Sequence, residues 1–386
     1  MSYDFDKEVN RRDTGSLKWD VPKWELPMWV ADMDFETVPA VTEALIERAQ
    51  HGVFGYSTLP DAWAESYVDW WRRRHGFTIE AEWLIFTTGI VPAISSAVRK
   101  LTTPAENVVV QTPSYNIFFN SIRNNGRNIV ENRLLFEGGE YRMDFKALEK
   151  QLADPQTSLM ILCNPQNPVG KIWDKETLAR VGELCANYHV TVLSDEIHCD
   201  LTAPGKAYVP FASVNEVCKM NSVVCIAPTK AFNLAGLQTA AVYAADPLLR
   251  HRMWRQLNTD EVAEPNAFAV DAAVAVFTHG EEWLTELREY IWENKAYVTE
   301  FLRERVPEIR PVASDATYLM WLDCRNIVED SDDFYRFLRE DSGLYLASGK
   351  EYGNGQGFMR LNVATRRALV EDGMERLERS VQMWKK

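Results

Sequence analysis

Val223-Val224-Cys225-Ile226-Ala227-Pro228-Thr229-Lys230-Ala231-Phe232-Asn233-Leu234-Ala235-Gly236-Leu237 begins as a short apolar run, breaks at Pro228, and sets one lysine just past the break. Apolar runs of this length, bounded by turn residues, read as buried strands. Lys230 is the only charged side chain between Lys219 and Asp246, in a chain that is 25% Asp, Glu, Lys and Arg. Desolvation disfavours an ammonium in such surroundings, so its pKa falls and a neutral amine becomes available. Neutral lysine amines condense with aldehydes to form Schiff bases. The bland alternative is a lysine that lays its stem along a core segment and keeps its charge in water. A membrane span is excluded, because Pro228, Asn233 and Gly236 interrupt the stretch.

The same grammar repeats upstream. Leu84–Thr87, Val108–Gln111, Leu159–Cys163, Val190–Ser194, Val223–Ala227 and Thr239–Ala244 read as strands. Helical patterns lie between or after them, at Pro92–Leu101, Asp144–Leu152, Lys175–Tyr188 and Pro247–Leu257. Strand and helix in alternation predict an α/β fold, a mostly parallel sheet with helices on both faces. Sites in such sheets gather at the carboxyl ends of the strands. The unusual residues fall there: Thr88-Gly89, Pro113-Ser114-Tyr115, Asn164–Gly170, Asp195–His198 and Thr229-Lys230. After residue 280 the pattern changes to a long charged helix (281–305), strands at Thr317–Leu322 and Gly357–Val363, and helices near 332–340 and 366–385. The predicted organisation is an arm and helix (1–50) packing with the small domain, a large domain (51–280) and a small α+β C-terminal domain (281–386).

Bulk properties narrow the function classes. The chain has 386 residues, 46% apolar, with 13 Trp, 14 Tyr and 17 Phe, which suits a large globular interior. A net charge of -14 disfavours nucleic acid and anionic membranes as partners. The N-terminus is acidic and lacks an apolar run, so no signal peptide is expected. Six cysteines without a C-x-x-C pair read as reduced thiols in a cytoplasmic protein. Asn167, Asp195 and Lys230 each follow their own strand, about one strand–helix–strand unit apart. Taken singly, Asp195 is equally well a helix cap.

Asn164-Pro165-Gln166-Asn167-Pro168-Val169-Gly170, Ser194-Asp195-Glu196-Ile197-His198 and Thr229-Lys230-Ala231-Phe232-Asn233 together resemble signature segments of fold-type I pyridoxal-phosphate enzymes. These belong to the aspartate-aminotransferase superfamily (class I/II aminotransferases), and the resemblance spans essentially the whole chain. Within it, Pro27-Met28-Trp29-Val30-Ala31-Asp32-Met33-Asp34-Phe35, Gly55-Tyr56-Ser57, Asp195-Glu196-Ile197-His198 and Thr317-Tyr318-Leu319-Met320-Trp321-Leu322-Asp323 look like the cystathionine β-lyase (carbon–sulfur lyase) branch. Ordinary members usually carry tyrosine where His198 falls.

The resemblance implies a seven-stranded sheet, pyridoxal 5'-phosphate as cofactor, and a homodimer with shared sites. It implies that Lys230 holds the cofactor as a Schiff base and then serves as base at Cα. Asp195 would pair with the pyridinium nitrogen, Asn167 would donate to the ring's phenolic oxygen beside His198, and Tyr115 would stack on the ring. Gly89 and Ile90 at a helix start, with Thr229, would take the phosphate. Arg360 would clamp the substrate carboxylate, with Ala31 on the lining. Tyr56 would reach the neighbouring subunit's cofactor and act catalytically there. Two positions depart from the pattern: Gln238 where many relatives carry a phosphate-gripping arginine, and Ala227 where serine is common.

The implied activity is β-elimination from cystathionine, cystine or related cysteine conjugates to thiol, pyruvate and ammonia. Amino transfer by the same residues is the alternative, and a regulatory protein acting through protein contacts the remote one. Gly353-Asn354-Gly355-Gln356-Gly357 superficially matches a dinucleotide loop, but no strand–helix context follows and it reads as a turn. His189, His198 and Cys199 match no zinc spacing, and no metal is expected.

Overall fold

Seven strands build the central sheet: β1 (Leu84–Thr87), β2 (Asn107–Thr112), β3 (Asn128–Arg133), β4 (Thr157–Cys163), β5 (Thr191–Asp195), β6 (Ser222–Ile226) and β7 (Ala240–Tyr243). The structure, a computed structural model, describes residues 3–385. The spatial order is β1-β7-β6-β5-β4-β2-β3. β7 runs antiparallel to both of its neighbours, and every other pairing is parallel. Each apolar run predicted as a strand is one. β6 is buried throughout and β4 and β5 nearly so, as strands covered by helices on both faces must be. β3 was not expected, and its sequence, Asn128-Ile129-Val130-Glu131-Asn132-Arg133, shows why. It is one of the two edge strands, half-exposed and charged, and polar edges block pairing with other chains.

Parallel strands aim their carboxyl ends at one side of the sheet. Thr88-Gly89, Pro113–Tyr115, Cys163–Asn167, Asp195 and Ala227–Lys230 therefore share a rim. A second, antiparallel sheet follows, built from Arg310–Pro311, Leu319–Asp323, Phe358–Asn362 and Ala347–Ser348 in that spatial order. Its register sets Trp321 opposite Arg360 and Leu319 opposite Asn362. The helix Glu281–Arg305 carries Glu281 and Glu282 in its first turn and Arg303 and Arg305 in its last, matching its dipole. It buries Trp283, Leu284, Leu287, Ile291, Val298 and Leu302.

The arm joins the two sheets. Leu26–Pro27 pairs in parallel with Leu344–Tyr345 of the C-terminal part. The helix Pro39–His51 packs on the helix Ala269–His279.

A turn at residues 314–317 latches the C-terminal part to the sheet rim. The Gly170 carbonyl accepts from the Asp315 and Ala316 amides at 2.9 and 2.8 Å. Gly170 has φ 74, and an added Cβ would collide with Ser314 Oγ and lie 2.6 Å from the Ala316 oxygen. Gly170→Ala is expected to cost about 1–3 kcal/mol through strain and collision. A chemical-denaturation midpoint measures this, and an unchanged midpoint would contradict the latch.

Candidate active site

Asp195 ends β5 with its carboxyl buried on the rim. Burial pushes its pKa up to about 7, although the Ile197 amide donates to Oδ1 at 3.1 Å and the Lys230 charge opposes the rise. Lys230 lies beyond β6 and is partly buried. Its Nζ donates to the Ala31 carbonyl at 2.5 Å. Burial lowers its pKa to about 8, resisted by Asp32 and Asp195 and reinforced by Arg360. The isolated lysine is thus an amine poised close to neutrality, as the desolvation argument anticipates.

Ala31 is held there by a strapped arm. Asn233 adopts φ 57, which asparagine tolerates, and its Nδ2 donates to the Met33 and Phe35 carbonyls at 2.9 Å each. From the other side, Asn362 Nδ2 donates to the Val30 and Asp32 carbonyls at 2.6 Å each. Arg11 forks onto Asp32 at 3.1 and 2.7 Å, while buried Lys18 pairs with Asp34 at 2.9 Å. These polar groups replace the sheet ladder that an irregular arm lacks.

Arg360 is buried, with Nη1 donating to Asn167 Oδ1 at 3.2 Å and Nη2 to the Trp29 carbonyl at 2.8 Å. Its Nε has no partner among the described residues. His198 is buried too; burial, followed by the charges of Lys230, Arg360 and Lys295, lowers its pKa to about 3. It is a neutral imidazole at physiological pH, and its Nδ1 is unpartnered.

A cavity of about 210 Å³ opens between these groups. Its lining includes Gly89, Ile90 and Thr229, together with Tyr115, Asn167, Asp195, His198, Lys230 and Ala31. The helix Ile90–Leu101 starts at this lining with no side-chain cap, so its first-turn amides and positive dipole end are available to an anion. The fold itself does not demand glycine at Gly89: its backbone is extended, and an added Cβ would meet Pro92 only at 3.4 Å. Close approach of a ligand would. Arg360 stands beside the cavity, reaching it through Asn167. Tyr56 is fully exposed on the loop after Pro39–His51, and this chain does not bring it to its own cavity.

Sequence reasoning missed several residues. Gln238, noted only as a missing arginine, lines the cavity at φ 52. Cys163 lies under Asn167, whose amide donates to Sγ at 3.4 Å. Asn233 and Asn362 act through backbone carbonyls distant in sequence, which no local pattern announces. His75, Cys199 and Asp200 bring ligand-type atoms within 4.8 Å of one another. Asp200 is already engaged there by His75 Nε2 at 3.0 Å and by Trp70.

The family model for aminotransferase class I and II matches residues 27–377. The chain belongs to this family. Cystathionine beta-lyase PatB of Bacillus subtilis (strain 168) is 42% identical to it, over 97% of this chain and 98% of that one. Among solved structures, cystalysin from Treponema denticola, which contains pyridoxal 5'-phosphate, superposes with a TM-score of 0.96 at 31% identity, covering 99% of this chain and 100% of its own. The pyridoxal-phosphate-bound C–S lyase from Staphylococcus hominis gives 0.93 at 29%, covering 99% of each. The fold is that of the fold-type I pyridoxal-phosphate enzymes, and the cofactor is pyridoxal 5'-phosphate. The donor set fits it: a near-neutral lysine for an aldehyde, a buried carboxyl for a ring nitrogen, and an uncapped helix start for a phosphate.

The lysine also predicts a stability signature. Below about pH 8 Lys230 is charged in folded and unfolded chains, and the fold carries the whole desolvation cost. Between that pH and the ordinary lysine value of 10.5 only the unfolded chain keeps the proton, so this contribution to stability rises with pH. Cofactor-free Lys230→Met is expected to exceed cofactor-free wild type in stability at pH 7, with the gap closing towards pH 10. Urea unfolding at both pH values measures it. A gap that widens with pH would contradict the assignment.

Proposed function

We propose that this protein is a pyridoxal-phosphate-dependent carbon–sulfur β-lyase acting on cystathionine, cystine or related cysteine conjugates. The observation that carries the reading is the placement of Lys230, under a carbonyl of the arm and between Asp195 and Arg360, in a chain 42% identical to a cystathionine beta-lyase along nearly its whole length. The bound cofactor supplies an aldehyde for amine capture and an electron-withdrawing ring conjugated to the substrate's Cα.

The residues divide the remaining work. Arg360 binds the substrate α-carboxylate through its unpaired Nε edge, since a planar fork matches a carboxylate. Lys230 Nζ, near neutral at physiological pH, takes the proton from Cα. Asp195 would hold a proton at the ring nitrogen through the oxygen that Ile197 leaves free. Asn167, fixed by Arg360 and Cys163, and neutral His198 orient the ring oxygen's side. Tyr115 would cover a ring face, and Gly89, Ile90, Thr229 and Gln238, which share the cavity lining, would take the phosphate. The arm carrying Ala31 shields the reacting atoms from water.

The reading includes a cytoplasmic homodimer. All six cysteines are unpaired and buried. No described helix is long and apolar enough to cross a membrane. Val53, Phe54, Tyr56 and Leu59 make an exposed apolar loop suited to a second copy, through which Tyr56 would enter the partner's cavity.

Incubation of the purified enzyme with L-cystathionine is expected to yield pyruvate, ammonia and free thiol with no added 2-oxo acid. A strict requirement for a 2-oxo acid would instead identify an aminotransferase. Arg360→Lys keeps the charge but not the fork, and is expected to lower kcat/KM about tenfold or more, mainly through KM. Steady-state kinetics read this directly, and an unchanged KM would remove Arg360 from the carboxylate site.

A further inference from the structure

Among the buried polar atoms without a hydrogen-bond partner among the described residues are His198 Nδ1 on the cavity wall and, beside it, Arg360 Nε and the Tyr318 hydroxyl. The first two belong to residues with assigned roles. Tyr318 does not. The Tyr243 hydroxyl is also unpartnered, but the titratable groups that act on it are Glu196, Cys199 and Cys225, none of which lines the cavity.

Tyr318 is fully buried, and its ring stands edge-on to His198 with centroids 6.3 Å apart. The groups whose charges act on its hydroxyl are Asp32, Arg360 and Tyr115, all residues of the site or the arm above it. The backbone is pinned on both sides. Thr317 donates its amide to Leu201 at 2.6 Å, and the Tyr318 carbonyl accepts from Val363 at 3.1 Å. Thr317 holds φ 65, a strained conformation for a β-branched residue, and its Oγ1 accepts from the Leu319 amide at 3.1 Å. Buried Lys295 braces the same turn, donating to Ser314 Oγ at 3.0 Å and the Ala316 carbonyl at 3.2 Å. Strain of this kind persists only where the surroundings over-determine it, and here it fixes one tyrosine ring beside His198. A phenylalanine would fill the same apolar space. The hydroxyl makes sense only if something that binds beside it accepts its proton.

We propose that the Tyr318 hydroxyl is a substrate contact, donating a hydrogen bond to the α-carboxylate that Arg360 clamps. The carboxylate is the fitting acceptor, because it is charged and lies where Arg360 also has an unmet donor; a thioether sulfur accepts only weakly. The proposal rests on the Arg360 clamp of the preceding reading, but not on whether elimination or transfer follows.

The test uses holoenzyme and Tyr318→Phe, which removes one oxygen and keeps the ring. Binding is followed by the visible spectrum, with L-alanine as a ligand bearing the carboxylate and ethylamine as one without it. The variant is expected to bind L-alanine about tenfold more weakly, a loss typical of a hydrogen bond to a charged group, and ethylamine as wild type does. Its melting temperature should hold or rise, since an unpaired buried hydroxyl is gone. With cystathionine, KM should rise while kcat changes little. L-alanine affinity within twofold of wild type, equal weakening for both amines, or a fall in kcat at constant KM would overturn the proposal. A lowered melting temperature would too, by giving the hydroxyl a structural partner. Absence of pyruvate from wild type would sink the lyase reading while leaving the binding comparison intact.

Discussion

The hydrogen bond from Lys230 to the Ala31 carbonyl ties together everything else in this molecule. It joins the rim of the central sheet to an arm that is itself tied to the C-terminal part, by the pairing of Leu26–Pro27 with Leu344–Tyr345 and by Asn362 of the C-terminal sheet. A lysine buried on a strand rim would otherwise stay charged and wet, or be expelled. Here one neutral acceptor satisfies it without a carboxylate in direct contact, so its amine remains easy to deprotonate. The arm's own anchors, Asn233 below and Arg360 and Asn362 above, are side chains satisfying backbone carbonyls. Opening the arm would leave several of these unpaired at once, which gives it a definite closed position.

Burial is the common cause of the electrostatics around that lysine. It raises Asp195 to about 7 and lowers Lys230 to about 8 and His198 to about 3. Glu196, next along, is also raised to about 7, although Ser194, Tyr208, Asn164 and the Phe211 amide all donate to it. Each group is left close to a change of protonation or already neutral. A site arranged this way moves protons at ordinary pH with small further perturbation, as when a ring nitrogen or a carboxylate arrives.

Where side-chain chemistry repeats along the chain, the sequence was legible. Apolar runs with turn residues at their ends located six of the seven strands, and the rim residues followed from strand direction. β3 escaped because it is half-exposed and carries Glu131 and Arg133, whereas the other edge strand, β1, is mostly buried and keeps an apolar run. The packing of Pro39–His51 on Ala269–His279 escaped because an apolar stripe does not name its partner. Within the site, Lys230 and Asp195 announced themselves by isolation and position. Asn233, Asn362, Gln238 and Tyr318 did not, because a single polar residue means little until the fold shows which atoms face it. Tyr56 is fully exposed and stands apart from this chain's own cavity, so its proposed role was not legible from one chain.

Reduction of the holoenzyme with borohydride, followed by proteolysis and peptide mapping, tests the central claim most directly. The account predicts a single pyridoxyl-labelled peptide with the tag on Lys230. A tag on any other lysine, Lys295 included, or no tag at all, would contradict it.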